Sequence, residues 1–156
     1  MTTYVSRQWT VARRPTDTLN EKHFAYREQP LPRLGTGQVL FKTHYLNLAP
    51  VMRMYMMDNG GGFSTESQLD IGDVIHGRGV AEVVESNHSE FAQGDIVHGQ
   101  MGWQTHKISD VTPQEKIVKM TRRGVPALYG LSALGMTGYS AYCGLISRGM
   151  PKAGDA

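Results

Sequence analysis

Cysteine is nearly missing from this sequence, with one thiol, Cys143, in 156 residues. That excludes an internal disulfide framework and any metal site built from several thiolates, a four-cysteine zinc knot among them. Charge is scarce as well. Charged residues make up 19% of the chain, with 16 Lys and Arg against 14 Asp and Glu, a balance of +2. Neither a highly charged disordered chain nor a long helical coil fits those figures. The densest basic points, Arg13-Arg14 and Arg122-Arg123, do not extend into runs. Isolated pairs of this kind are solvated surface, so no nucleic-acid partner is expected. The first residues, Met1 to Arg7, show no apolar core of a secretory signal. One uncharged stretch, residues 129–147, runs for 19 residues but holds four glycines and three serines. It reads as a buried soluble segment rather than a membrane span, and the protein as cytoplasmic.

What is present points to β structure. Apolar residues make up 40% of the chain, enough for one domain, or one domain and a stub. Short apolar runs bounded by turn residues predict strands at residues 9–11, 24–26, 39–46, 79–84, 95–98 and 116–120. The clearest is Val39-Leu40-Phe41-Lys42-Thr43-His44-Tyr45-Leu46, rich in β-branched and aromatic residues and ended near Pro50. The polar stretch 85–94 reads as a surface connection, and residues 58–65 as a flexible glycine-rich loop. Many short strands with glycine punctuation argue for a small barrel or sandwich. After Pro126 the apolar residues recur three and four apart, predicting two helices with a break near Gly135-Met136 and a stop at Gly149-Met150-Pro151.

Few residues carry an obvious chemistry. Six histidines are scattered without the spacing of a zinc-protease helix. His76 and His98 each follow a predicted strand and precede a glycine and could converge, but a lone strand-end histidine is normally a surface or hydrogen-bonded residue. Cys143 inside an apolar helix reads as a small core hydrophobe. Gly60-Gly61-Gly62 is followed by Phe63-Ser64 rather than the Lys-Ser/Thr of a phosphate loop. Glu82 and Glu85 are expected to be solvated. Met52, Met54, Met56 and Met57 suit either core filling or an adaptable apolar pocket wall.

Read in order, several segments resemble one family. They are Gly37-Gln38-Val39-Leu40-Phe41-Lys42, Leu46-Asn47-Leu48-Ala49-Pro50-Val51-Met52-Arg53, Ile71-Gly72-Asp73-Val74-Ile75, Gly94-Asp95-Ile96-Val97, Gly102-Trp103-Gln104 and Leu134-Gly135-Met136-Thr137-Gly138-Tyr139-Ser140-Ala141-Tyr142. Together they resemble the N-terminal part of zinc-independent medium-chain dehydrogenases/reductases of the leukotriene/prostaglandin reductase and curcumin reductase branch. The resemblance implies a mainly β fold, a GroES-like barrel lobe at residues 1–126. Residues 127–156 would be connecting helices leading to a Rossmann domain. No strand followed by a G-x-G-x-x-G turn occurs in the sequence, so the chain is expected to be a truncated polypeptide lacking that domain.

The same resemblance implies a reaction. Zinc-dependent relatives take cysteines from the loop matching residues 47–53 and from the position matching Met136, and this chain has neither, so no metal is expected. Without zinc the family uses NADPH to reduce the C=C bond of α,β-unsaturated ketones or aldehydes. NADPH rather than NADH is not decided by these residues, and a homodimer of the full-length protein is left open. Met136 and Ser140 match positions facing the nicotinamide. Gln100, Met101 and Trp103 match one edge of the substrate pocket, and Arg53 with Tyr55 the other. Trp103 reads nearly as well as a core or domain-contact aromatic. Where relatives carry Asp-Pro-Tyr-Met-Arg, this chain has Ala49-Pro50-Val51-Met52-Arg53, so it stays open whether Tyr55 substitutes. No catalytic acid is assigned. The other reading is a free-standing GroES-like binding or structural module.

Overall fold

The computed structural model describes residues 4–58, 68–121 and 124–155. Gly60-Gly61-Gly62 and Arg122-Arg123 lie outside the described residues. Strand β1 (Val5–Val11) pairs antiparallel with β2 (Phe24–Pro30), from Val5 opposite Pro30 to Val11 opposite Phe24. The strand read most clearly from the sequence, β3 (Val39–Leu46), sits inside a larger antiparallel sheet with β4 (Arg78–Ser86), β5 (Ile96–Gln100), β6 (His106–Ser109) and β7 (Val118–Lys119), in the order β6-β3-β4-β5-β7. The first half of β3 is buried because both its edges are paired: Phe41 lies opposite Val83 on β4 and Lys107 on β6.

The inward face of β1 is polar. Ser6, Gln8 and Thr10 are buried while Trp9 between them is 46% exposed. Each buried polar group has a partner, as burial requires. The Ser6 hydroxyl donates to the His106 carbonyl (2.6 Å), the Gln8 amide to Gln104 Oε1 (3.0 Å) and the Thr10 hydroxyl to the Ala25 carbonyl (3.3 Å). The backbone of β1 also bonds across to the second sheet's connectors. Trp9 N–H donates to the Trp103 carbonyl (2.9 Å), Ile75 N–H to Trp9 (3.0 Å) and Thr105 N–H to Arg7 (3.0 Å). These bonds close the two sheets into a mainly β barrel. Its interior holds Val39, Phe41, Ala81, Val83, Phe91, Val97 and Met101, and a second cluster joins Val11, Leu69 and Ile75 to Tyr55 and Met56 of α1 (Val51–Met56).

Two expectations, the burial of residues 129–147 and the core place of Cys143, are corrected, and others are refined. The stretch 85–94 carries Phe91, whose ring stands edge-on to Phe41 with centroids 6.2 Å apart, so this surface connection is anchored in the core. The methionine run forms the short helix α1 and does both of the things weighed for it: Met52 and Met56 are buried, Met54 and Met57 half-buried. The helical spacing after Pro126 yields a 3₁₀ turn (Ala127–Leu131), α2 (Met136–Tyr142) and a π-helical turn (Cys143–Gly149), with the break where the glycine put it. These residues are not a buried segment, however. Leu134, Tyr139, Tyr142, Leu145 and Ile146 are all more than 40% exposed, and Cys143 is half-buried rather than a core residue. Among the described residues no helix is long and apolar enough to cross a membrane.

Candidate functional site

Three clefts share walls along one side of the barrel. The largest, about 570 Å³, is bounded by His76, Gln100, Met101, Lys107, Glu115 and Lys116, among others. A second, about 330 Å³, lies between β4, β5 and α2 and includes Arg78, His98, Leu134, Met136 and Tyr139 in its lining. A small recess of about 60 Å³ joins them: it shares His76 and Gln100 with the first and Asn47 and Arg78 with the second. Lys116 is common to the two larger clefts. Shared wall residues thus link a groove of adjoining clefts from Tyr55 at the recess to Met136 at the second cleft.

Glycines shape its floor. Gly79 on β4 lies opposite Gly99 on β5. A Cβ on Gly79 would stand 2.8 Å from the Tyr45 carbonyl, and one on Gly99 2.8 Å from Ile117 Cα. The backbones therefore approach as only glycine permits. Gly77, just before β4, is similarly tight against the Trp103 indole, where a Cβ would come within 2.8 Å of Cδ1. Its N–H donates to Gln100 Oε1 (3.1 Å), which fixes the Gln100 side chain in the wall.

The charged groups of the groove are unequal. Lys107 and Glu115 pair at 2.7 Å. Burial pushes the Glu115 carboxyl up, but hydrogen bonds from Lys107 and Ser109, the Lys107 charge and the Thr112 N–H outweigh it and hold the group below its ordinary value. Burial, then the Arg78 charge, push the His98 imidazole down, so it stands neutral at pH 7. The second cleft includes no carboxylate in its described lining.

The residues singled out from the sequence separate into two groups. Tyr55, Gln100, Met101 and Met136 line the groove. Tyr55 is buried, its ring edge-on to His76 at 5.4 Å, and Met136 is 49% exposed at the start of α2. Arg53 turns its guanidinium to the Asp17 carbonyl. Trp103 stacks flat on Phe24, centroids 5.9 Å apart with an interplanar angle of 4°, and packs against the second core cluster. Ser140 is exposed one turn beyond Met136 and does not line the clefts. His76 and His98 fall in different clefts, and among the described residues no three His, Cys, Asp or Glu side chains gather as a metal site. Sequence reasoning missed Asn47, Arg78, Lys116 and Tyr139 as wall residues. Asn47 and Tyr139 lay within the family-like segments, whereas nothing in the sequence marked Arg78 or Lys116.

Residues 7–117 match the family described as the N-terminal domain of oxidoreductase. The NADPH-dependent curcumin reductase of Escherichia coli (strain K12) is 38% identical over 150 residues, 96% of this chain and 42% of that protein. The 2-alkenal reductase (NADP(+)-dependent) of Nicotiana tabacum is 37% identical over 121 residues, 78% of this chain and 34% of that protein. The crystal structure of CurA in complex with NADPH from Vibrio vulnificus aligns with a TM-score of 0.78 at 34% identity, over 96% of this chain and 42% of that one. The chain thus spans about two fifths of the length of relatives such as these.

Proposed function

Since this chain belongs to the family of oxidoreductase N-terminal domains, we propose that it is the substrate lobe of a cytoplasmic, NADPH-dependent reductase. The reaction is saturation of the C=C bond of α,β-unsaturated ketones or aldehydes. The observation that carries this reading is the row of adjoining clefts from Tyr55 to Met136, on a chain similar to reductases of curcumin and 2-alkenals. Residues 1–126 form the barrel lobe, and 127–156 the connection towards a dinucleotide-binding domain.

The residues present fit the nicotinamide end of such a cofactor. Leu131, Leu134, Gly135 and Met136 give the second cleft an apolar wall suited to one face of a flat ring, and its described lining sets no carboxylate against a polyanion. NADPH, when bound, supplies the hydride equivalent that saturates the double bond. The chain's own residues do the rest. Met136 and the apolar edge of α2 hold the reacting carbons dry, and the Tyr55–His76 corner ends the groove and fixes the substrate's length. Negative charge gathers on the carbonyl oxygen as the double bond is reduced. Asn47 and Arg78, which line both the recess and the second cleft, would donate hydrogen bonds to it. Ser140, one turn on from Met136, adds a hydroxyl on the cofactor side. Alone, the 156-residue chain offers the ring a single wall and should not turn over enones.

Product analysis tests this directly. The reductase assembled from this lobe and a dinucleotide-binding domain should convert a 2-alkenal to the saturated aldehyde in the presence of NADPH. Formation of the allylic alcohol, with the C=C bond intact, would refute the proposed function.

A further inference from the structure

One wall of the largest cleft is a short connection rather than a strand. Between β6 and β7 the chain runs through residues 110–117, and Pro113, Gln114, Glu115 and Lys116 line that cleft. The backbone bonds of this turn, Glu115 N–H to the Thr112 carbonyl (3.1 Å) and Lys116 N–H to the Pro113 carbonyl (3.2 Å), stay inside it. Its two ends are pinned. Val111 and Ile117 pack against the first core cluster, and a Cβ on Gly99 would meet the Lys116 carbonyl at 3.0 Å and Ile117 Cα at 2.8 Å. Both ends are also strained. Val111 (φ 54°) and Lys116 (φ 48°) lie in the left-handed region, which a non-glycine residue enters only where surrounding structure holds it. The middle is held by Glu115, which alone among residues 112–116 is not exposed. Its carboxylate accepts from Lys107 Nζ (2.7 Å) and the Ser109 hydroxyl (2.7 Å), both on β6, and from the Thr112 N–H (2.8 Å). Lys107 Nζ also donates to the Gln100 carbonyl (2.5 Å), at the end of β5. Met101, next in the chain, belongs to the lining of the same cleft yet is fully buried.

We propose that residues 112–116 form a strap that opens and closes the largest cleft, turning about Val111 and Lys116, with the Glu115 carboxylate as its latch. The strap is closed in this structure. Opening breaks the contacts of Glu115 with Lys107 and Ser109, lets the two hinge residues leave the left-handed region and uncovers Met101. Release of the hinge strain offsets part of the cost of breaking the latch, so the strap opens without the barrel unfolding. This holds whichever ligand the cleft takes, and it does not depend on the enone reading.

The test is oxidation of the 156-residue chain by hydrogen peroxide, read at each methionine by peptide mass spectrometry, in wild type, Glu115→Gln and Glu115→Ala. Met56 is as buried as Met101 but belongs to the second core cluster, so it reports on the rest of the fold. Met136, 49% exposed, should oxidise at one rate in all three proteins and calibrates the peroxide. Loss of the charged hydrogen bonds in Glu115→Ala should speed Met101 oxidation about tenfold and leave Met56 unchanged. Glu115→Gln, which can still accept from Ser109, should have a smaller effect of the same sign. Equal acceleration of Met101 and Met56, the result of a purely structural role for Glu115, overturns the latch. So does a Met101 rate that neither substitution moves. Wild type supplies a check that needs no variant. A local opening exposes little surface, so Met101 oxidation should be almost flat in dilute urea. A steep rise that tracks global unfolding overturns the strap. Failure of an enone to bind would overturn the enone reading and leave these rates as they are.

Discussion

Gly135→Ala should detach the α2 segment from the barrel. A Cβ at this position would lie 2.2 Å from the Gly130 carbonyl oxygen and 3.0 Å from its carbon. Both are backbone atoms, so no side chain can swing aside. Gly130 cannot retreat either: it is buried, and its own Cβ position is 2.8 Å from Val80 Cγ2 on β4. The turn between them is knotted by short bonds, Leu134 N–H to Tyr129 (2.8 Å) and Tyr139 N–H to Gly135 (3.0 Å). Overpacking a tight site costs about 1–3 kcal/mol. Here that cost falls on a segment whose outward face is exposed and which the barrel holds mainly through β4 and β5. The expected result is fast amide exchange across residues 127–142 with a nearly normal barrel, and a tenfold to hundredfold loss of enone affinity, in line with about 1.4 kcal/mol per decade. Protection in that segment equal to wild type would show that the glycine contact does not seat α2.

The second large effect is on the barrel itself. Phe41 is fully buried, edge-on to Phe91 and packed among Val39, Ala81, Val83, Val97 and Met101. Truncating a core phenylalanine to alanine costs about 3–5 kcal/mol in transfer and cavity terms. For a domain of about this length each kcal/mol moves the midpoint by about 2–4 °C, so Phe41→Ala should lower Tm by roughly 6–20 °C. Because Met101 belongs to the same cluster and also lines the largest cleft, the variant should weaken ligand binding even below its melting point. A melting curve within a degree or two of wild type would show that this cluster is not the centre of stability.

The contrast between these two sites shows how far the sequence could be read. Strand β3 was legible because Val39, Leu40 and Phe41 are β-branched or large and are bounded by turn residues, so local preference and tertiary burial agree. Strand β6 was not. His106-Lys107-Ile108-Ser109 has little apolar signal, and it is a strand because β3 offers it an edge. The six-residue helix α1 is too short for periodicity to register. The spacing after Pro126 correctly marked helical turns, but spacing says which side chains share a face and not what that face meets. Hence the mistaken expectation of burial for Leu134, Tyr139 and Leu145.

The groove divides in the same manner. Met136 lies in a family-like segment and Tyr55, Gln100 and Met101 just outside such segments, and all four line the adjoining clefts. Arg53 and Trp103 came from equally family-like segments, yet their side chains serve a carbonyl at Asp17 and a stack on Phe24. Lys116 was hidden because a lysine held in the left-handed region leaves no mark that distinguishes it from a surface lysine. Its significance comes only from the convergence of two clefts, which depends on contacts far apart in the chain.

The methionines themselves provide the most direct measurement of the central claim, that the groove from Tyr55 to Met136 holds the enone. With nine methionines in the chain, methyl NMR samples the groove, the core and the exposed helix together. Met136 stands at the second cleft and Met101 in the wall of the first, whereas Met150, 70% exposed, lies beyond the end of the π-helical turn. Titration with an α,β-unsaturated ketone should shift the Met136 and Met101 methyl signals along one saturable curve and leave Met150 in place. Saturable shifts confined to Met150, or none at Met136 when binding is evident by another probe, would contradict the account.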